Sequence, residues 1–544
     1  MSTYYVDYTG GNDGNDGLSE ENAWKTWSHV SSELNGNQSD DIVKAKCGET
    51  WSEQYTVAGY GTDGHRFVHT SYGSGNKPCI DGEETRNYCI RAVSKNYLEF
   101  DGLELKDAIN TGTGGGKDGA CIKLESSTGS LLDDLDIYHA KTRGVWFDFC
   151  SGCTAQYSLI DTGITDNQYE ADSLYLSNGS GNIVRHNEIY EAAQGYYVDG
   201  VQTYDDDGIT IEYNYMECSQ QSDQGSMLLQ IEQGSGTVNI RYNILYNTVN
   251  QRSIFVLDSS SAAFNVYNNV IINAAGGGSW VGIGLDILSG CSIPTCRNNI
   301  FYCTNGLCII SSPSISPTSR LDYNCYYRES GGSELIYDGS DERTWAQMQG
   351  LGYEPHGYNA DPKFENLSGK DFHIKSDSPC RNVGVDVGLT QDYDSKSVPQ
   401  ETYPCIGAFE YISGGWASFQ LDPNAAAYSD DEMVGKVNSA SVQVTRASAV
   451  SADAVADGTT NKAFTSSEQT KLANIEDSAT ADMTGDEILS AINAGTLSLT
   501  RADVLDQDSL NIVKTNPQSG EYKITAVHRT SSGLLEIEYE DVPV

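Results

Sequence analysis

Six asparagines return every 25–30 residues through the middle of this chain. Asn187, Asn214, Asn243, Asn269, Asn299 and Asn324 stand 27, 29, 26, 30 and 25 residues apart. They lie in the segments VRHNEIYEA, IEYNYMECS, IRYNILYNT, VYNNVIINA, CRNNIFYCT and LDYNCYYRE. A short apolar-alternating run precedes each asparagine and a second follows it. A third lies further upstream, as in DSLYLS, DGVQTY, LLQIE, IFVLD and VGIGLDI. Three strands per repeat with variable turns predict an all-β chain wound as a parallel β-helix. Its coils would stack about 4.8 Å apart. A turn buried at the same place in every coil must satisfy its backbone groups. Asparagine suits that place, because it carries both a donor and an acceptor and tolerates left-handed geometry. The six are therefore expected to be structural. Weaker coils stand upstream in YCIRAVSKNYLEFDGLELKDA and ACIKLESSTGSLLDDLDIYHA.

A single elongated repeat also explains how 544 residues can fold on a lean 38% of hydrophobic residues. Abundant Gly (55) and Tyr (34) with scarce Pro (12) suit many short strands and tight turns. The formal net charge of −43 argues against a nucleic-acid partner, which needs a basic patch. No stretch approaches the roughly 20 apolar residues of a membrane helix, so no membrane insertion is expected. The opening MSTYYVDYTG shows neither a basic nor an apolar leader region, so no signal peptide is expected. The 14 cysteines lack paired CxxC spacing, and several fall at apolar strand positions such as Cys121 and Cys308. Buried thiols acting as small hydrophobes are expected ahead of a disulfide framework. If cysteines pair, Cys380–Cys405 and the group Cys291, Cys296, Cys303 and Cys308 are the places to look.

Beyond the ladder, several loose segments occur in a characteristic order. They are YYVDYTGGNDGNDGLSEENAWKTW, DDIVKAKCGETWSEQYTV, KPCIDG and, near the end, NADPKFENLSGKDFHIKSDSPCRNVGVDVG with YPCIGAFEY. Over about residues 3–411 the chain resembles the right-handed parallel β-helix superfamily of pectate-lyase-like proteins. The resemblance implies an N-terminal cap over residues 1–39 and a right-handed solenoid over 40–411. In the opening loop, Asp7, Asp13 and Asp16 are either turn formers or hard oxygen ligands for Ca2+. Turn chemistry is preferred, because the loop lacks the bidentate Glu of an EF-hand.

After Tyr411 the composition shifts to Ala, Ser, Thr and Asp, with a helical patch in SSEQTKLANI. GEYKITAVHRTSSGLLEIEYEDVPV reads as a terminal β-hairpin. The region 425–544, above all ADGTTNKAFTSSEQTKLANIEDSAT, resembles connecting and terminal segments of bacteriophage tail fibres and tail spikes. That implies a linker or stalk with short helices over 412–500 and an oligomerising β tail over 501–544. It further implies a homotrimer attached to a virion tail or baseplate. The alternative is a secreted bacterial protein with an unrelated linker.

Candidate chemistry sits where the coils carry carboxylates and aromatics. Asp172 and Asp199 each precede a ladder asparagine by 15 residues, and Glu170 and Tyr197 stack likewise. One coil earlier stand Lys141, Arg143, Trp146 and Asp148. Later outward positions add Gln202, Tyr204, Gln230, Glu232 and Asp258, with Arg252 in the preceding turn. Asp172, Asp199, Glu232, Tyr197 and Arg143 are the catalytic candidates. Asp148, Glu170, Tyr175, Gln202, Tyr204, Gln230, Arg252 and Asp258 are the substrate-binding candidates. Carboxylates one coil apart suit glycoside hydrolysis, and two coils apart approach the inverting separation. A lyase would instead use a base such as Tyr197, Arg143 or Lys141 with neutralisation of a uronate. The turn Asp205–Asp206–Asp207 reads as solvated, and His139 and His186 as structural. No cofactor is required. The expected function is binding and cleavage of a host surface polysaccharide by a tail-spike-like protein. The alternative is a non-catalytic adhesin or structural virion fibre that holds the glycan.

Overall fold

The computed structural model describes residues 1–411 except 110–117, 163–171, 192–198, 219–226, 250–252, 275–281, 317 and 331. Beyond Tyr411 it describes three strands, Ser509–Leu510, Tyr522–Arg529 and Leu535–Asp541. The chain divides into a unit Met1–Tyr411 and a unit Ile412–Val544. The second unit contributes an antiparallel hairpin of Tyr522–Arg529 with Leu535–Asp541, and Ser509–Leu510 pairs beside it. The expected helical linker lies outside the described residues.

The first unit winds through three sheets of 12 strands each. Sheet 1 runs from Thr3–Val6 and Ile42–Lys46 to Leu321–Asp322, sheet 2 from Thr50–Trp51 to Tyr358–Asn359. Sheet 3 starts at Tyr55–Val57, reaches Glu334–Tyr337 and ends on one antiparallel strand, Glu342–Thr344. All other pairings within these sheets are parallel, each strand joining its counterpart one coil away, as in Leu174↔Val201↔Leu229. Alternation puts Ile90, Ile122, Val145, Leu174, Val201, Leu229 and Phe255 of sheet 3 into the core. Fully burying such a side chain stabilises by about 1.5–3 kcal/mol.

The asparagine ladder occupies the two-residue corner between sheets 1 and 2. All six are buried. Asn243 shows the pattern. Its amide nitrogen donates to Asn269 Oδ1 at 3.1 Å and to the Ile211 carbonyl at 2.8 Å. Its Oδ1 accepts from the backbone N–H and the side chain of Asn214, at 3.1 and 3.0 Å. The left-handed residue is not the asparagine but the one before it. His186, Tyr213, Tyr242, Asn268, Asn298 and Tyr323 have φ of 54–61°. Left-handed geometry costs a non-glycine residue about 1–2 kcal/mol. Stacking offsets part of that: Tyr157, His186, Tyr213 and Tyr242 lie ring on ring with centroids 4.8, 4.8 and 5.3 Å apart. The chain of amides ends on Glu354, whose carboxylate accepts from Asn324 N and Nδ2 at 3.0 and 2.7 Å.

Helix α1 (Trp27–Glu33) covers the N-terminal end and buries Trp27 against Trp51 and Tyr55, with centroids at 6.0 and 4.7 Å. Thr26 caps it by accepting from the His29 N–H. Helix α2 (Trp345–Leu351) stands at the other end behind a Thr344/Gln347 capping box and buries Met348. The following segment folds back along a flank, where Cys380, Ile406 and Phe409 join a cluster with Tyr242, Ile272 and Ile300. All 14 cysteines are free thiols, and all but Cys47 are buried, Cys380 and Cys405 among them.

His69 is wholly buried beneath α1. Its Nδ1 lies 3.2 Å from the Glu99 carbonyl and its Nε2 2.8 Å from the Tyr55 hydroxyl. The carbonyl only accepts, so Nδ1 carries the proton and Nε2 accepts from Tyr55. Burial lowers the imidazole pKa to about 3. The unfolded chain takes up this proton near pH 6.5. Stability from this group is thus complete above pH 6.5 and lost as pH falls toward 3, at about 1.4 kcal/mol per pH unit. Urea titrations at pH 7, 6 and 5 should show a steeper decline for the native chain than for His69→Asn.

Candidate functional site

The outer face of sheet 3 carries two parallel columns of side chains. One runs Arg91, Lys123, Trp146, Tyr175, Gln202, Gln230, Val256 and Asp286. The other runs Val93, Glu125, Asp148, Ser177, Tyr204, Glu232 and Asp258. The columns exist because each strand alternates, sending every second residue outward. Seven of the expected site residues, Asp148, Tyr175, Gln202, Tyr204, Gln230, Glu232 and Asp258, therefore share one surface. Arg143, Asp172 and Asp199 stand at the edge of the same sheet. Glu170, Tyr197 and Arg252 lie outside the described residues.

The early coils form a dense polar cluster. Lys123 is 5% exposed, with its ammonium 3.0 Å from Asp148, 3.4 Å from Asp118 and 3.7 Å from Glu125. It also lies 3.4 Å from the centre of the Trp146 ring. Arg143, 4% exposed, faces Asp172 at 3.3 Å and lies 4.5 and 4.4 Å from the Trp146 and Tyr175 rings. Arg91 donates to Glu125 at 3.1 Å and lies over Tyr88. Ser177 donates to Asp148 at 3.0 Å and accepts from the Trp146 indole. Tyr88 donates to Asp118. Burial works to raise the Asp118 pKa, but that hydroxyl and the Lys123 ammonium hold it below its ordinary value. Cations thus lie against the rings of both Trp146 and Tyr175.

The two edge carboxylates are buried and bonded. Asp172 is 1% exposed and paired with Arg143. Asp199 is 4% exposed, and its Oδ1 accepts the Met227 N–H at 2.8 Å. Asp206 departs from the solvated turn expected of it. It is buried, accepts from Asn182 Nδ2 at 2.9 Å, and burial pushes its pKa up to about 7. His186 is stacked and driven by burial to about 4, as befits a structural residue.

In the later coils Tyr204, Glu232 and Asp258 of the second column all reach the surface at least in part. Tyr204 is 38% exposed. Glu232, one coil on, accepts from Gln202 Nε2 at 3.2 Å and Gln230 Nε2 at 2.5 Å. Asp258 is the next in the column and makes no side-chain hydrogen bond or ion pair among the described residues. Sequence reasoning missed Tyr88, Arg91, Asp118, Lys123 and Glu125. Their coils lack the ladder asparagine that set the alignment. The alternation in YCIRAV and ACIKLE was the available signal.

In the opening loop every named aspartate accepts backbone N–H groups. Asp7 takes those of Thr9 and Gly10 and pairs with Lys46 at 2.6 Å. Asp13 takes those of Lys25 and Thr26, tying the loop to the start of α1. Asp16 takes that of Leu18. Among the described residues no group of three or more His, Cys, Asp or Glu is disposed to hold a metal ion.

Residues 88–286 match the family described as the right-handed beta helix region. The fold is a right-handed parallel β-helix. No curated protein sequence matches the chain. Among solved structures it is similar to pectate lyase Pel9A, at 15% identity and TM-score 0.47 over 76% of this chain and 98% of that one. It is also similar to the Dettilon tailspike protein, at 13% identity and TM-score 0.41 over 62% and 68%. A third is lacto-N-biosidase from Eubacterium ramulus, at 13% identity and TM-score 0.36 over 66% and 67%.

Proposed function

We propose that this chain binds and cleaves a polysaccharide on the outer face of sheet 3, as a tail-spike-like protein acting on a host surface glycan. The observation that carries the reading is the open column Tyr204, Glu232 and Asp258. A flat ring suits a sugar face, and two carboxylates one coil apart stand at the roughly 5 Å spacing of retaining glycosidases. The amides of Gln202 and Gln230 hold the Glu232 carboxylate in place beside Tyr204. Asp258, one coil on, supplies the second carboxyl of the pair. Asp172, Arg143 and Asp199 then hold the sheet edge, while Lys123 and Asp148 brace Trp146.

The viral setting rests on the resemblance of residues 425–544 to tail-fibre segments. With it go a homotrimer, attachment to a virion tail or baseplate, and assembly in the host cytoplasm. Light scattering of the full chain at micromolar concentration should give three times the chain mass, and a monomer would remove the trimer. The reaction requires no cofactor, and calcium at the opening loop would compete with the N–H donors already on Asp7, Asp13 and Asp16. A chelator should therefore leave both cleavage and the melting curve unchanged; a lowered melting point would restore calcium as a structural ligand.

The function itself is tested by incubating the chain with a panel of bacterial and algal polysaccharides. New reducing ends without an unsaturated product mark hydrolysis, and the ultraviolet absorbance of an unsaturated uronate marks elimination. A glycan bound but never cleaved would make the protein an adhesin.

A further inference from the structure

Just past the second column of sheet 3 the chain turns a corner toward sheet 1. The residues that follow Val93, Glu125, Asp148, Ser177, Tyr204 and Glu232 at this corner are all left-handed, with φ of 53–56°. Ser94, Ser126, Asn178, Asp205 and Gln233 are polar, as suits a solvated corner. The remaining one is Phe149, and it is 58% exposed. A single exposed apolar residue needs no explanation. What sets Phe149 apart is its backbone, because left-handed geometry is unfavourable for a bulky side chain. The tyrosines that adopt it in the solenoid are supported by packing. Tyr157, Tyr213 and Tyr242 belong to the ring stack, Tyr323 stacks on His356 at 4.6 Å, and Tyr97 lies over Gly129. Phe149 stacks on no ring among the described residues. A ring that the backbone disfavours and the core does not use points to a function in solvent.

Resting on the reading above, we infer that Phe149 is a sugar-stacking platform, remote from the reacting bond, for a glycan that runs parallel to the solenoid axis. Tyr204 stands two coils further on, about 10 Å along the axis. Glu232 and Asp258 follow in the next two coils. Val93, 38% exposed, stands two coils away in the other direction. Exposed apolar side chains thus recur at one interval along one edge of the candidate face. A pyranose in an extended chain advances by roughly one coil rise, so alternate sugars meet Tyr204, Phe149 and Val93. A glycan laid along a strand would stay within one coil and reach only one of them. The carboxylate pair then stands toward one end of the track, with the stacking platforms all on one side of the reacting bond.

The test uses size-fractionated fragments of polygalacturonate, alginate and bacterial capsules, from about two to about eight sugars long, together with the parent polymers. Binding to the full chain is measured by calorimetry, beside melting curves. Native affinity should rise at least about tenfold once a fragment exceeds about four sugars, the length that spans Glu232 to Phe149. Phe149→Asn installs the residue type that the next coil carries at this corner, Asn178, so the melting point should hold or rise. The same variant should lose the gain with length, while Phe149→Tyr, which keeps the ring, should retain it. A gain retained by Phe149→Asn, or lost by Phe149→Tyr, would overturn the inference. A gain lost together with a lowered melting point in Phe149→Asn would mark a structural side chain and overturn it too. Native binding that ignores fragment length would overturn it and leave the polysaccharide reading standing. Binding of no fragment and no parent polymer would overturn both.

Discussion

Replacing Asn243 with alanine is expected to lower the stability of the first unit by about 3–6 kcal/mol, an effect large enough to unfold many domains. The side chain sits at the middle of the ladder and is wholly buried. Its loss strands the Asn214 backbone N–H and side-chain amide, both of which donate to Asn243 Oδ1. It also removes a donor from the Ile211 carbonyl and from Asn269 Oδ1. Each buried group left without a partner costs about 1–3 kcal/mol. Urea unfolding followed by circular dichroism measures the change. A loss below about 1 kcal/mol would show that water or a shift of the corner replaces the amide, and the ladder would then be dispensable at that coil.

Glu232→Gln is expected to reduce cleavage by about 10²–10⁴-fold while leaving glycan affinity within about tenfold. The substitution keeps the shape of the side chain and removes its charge. Asp258→Asn should act similarly. The edge residues should behave differently. Asp199→Asn keeps an oxygen for the Met227 N–H and should leave the rate within about threefold. Asp172→Asn removes the carboxylate that faces the buried Arg143 guanidinium and should show as lost stability, about 3–5 kcal/mol. Rates and melting curves on the four variants separate the roles. Cleavage abolished by Asp199→Asn and spared by Glu232→Gln would move the chemistry to the sheet edge.

The solenoid was readable in the sequence because one residue type recurs at one corner. Asparagine is hard to replace where both a donor and an acceptor must be satisfied inside a protein. Its spacing gave the coil length, and the alternation around it gave the strands. The same alignment placed Gln202, Tyr204, Gln230, Glu232 and Asp258 on one face. It failed where the ladder had no asparagine, so Lys123 and Arg91 went unseen. Burial was the other blind spot. Spacing put Asp172 and Asp199 in adjacent coils, but no pattern of residue types says that Arg143 and the Met227 N–H already hold them. The left-handed corner residue was misplaced by one, because a stack of Tyr and His rings supports a conformation usually left to Gly or Asn.

Glu354 gives the ladder a direction. Each amide passes a hydrogen to the next coil and receives one from the coil before, so the row resembles a sentence that can be lengthened but needs a full stop. A carboxylate accepts without donating onward, and Glu354 takes two hydrogens from Asn324 and one from Tyr326. Duplicating a coil between Asn187 and Asn324 would copy every bond intact, and the molecule could grow by whole coils there. Coils appended after Glu354 would find no hydrogen offered to them. The length of the solenoid is thus written in where one acidic residue falls along a row of amides.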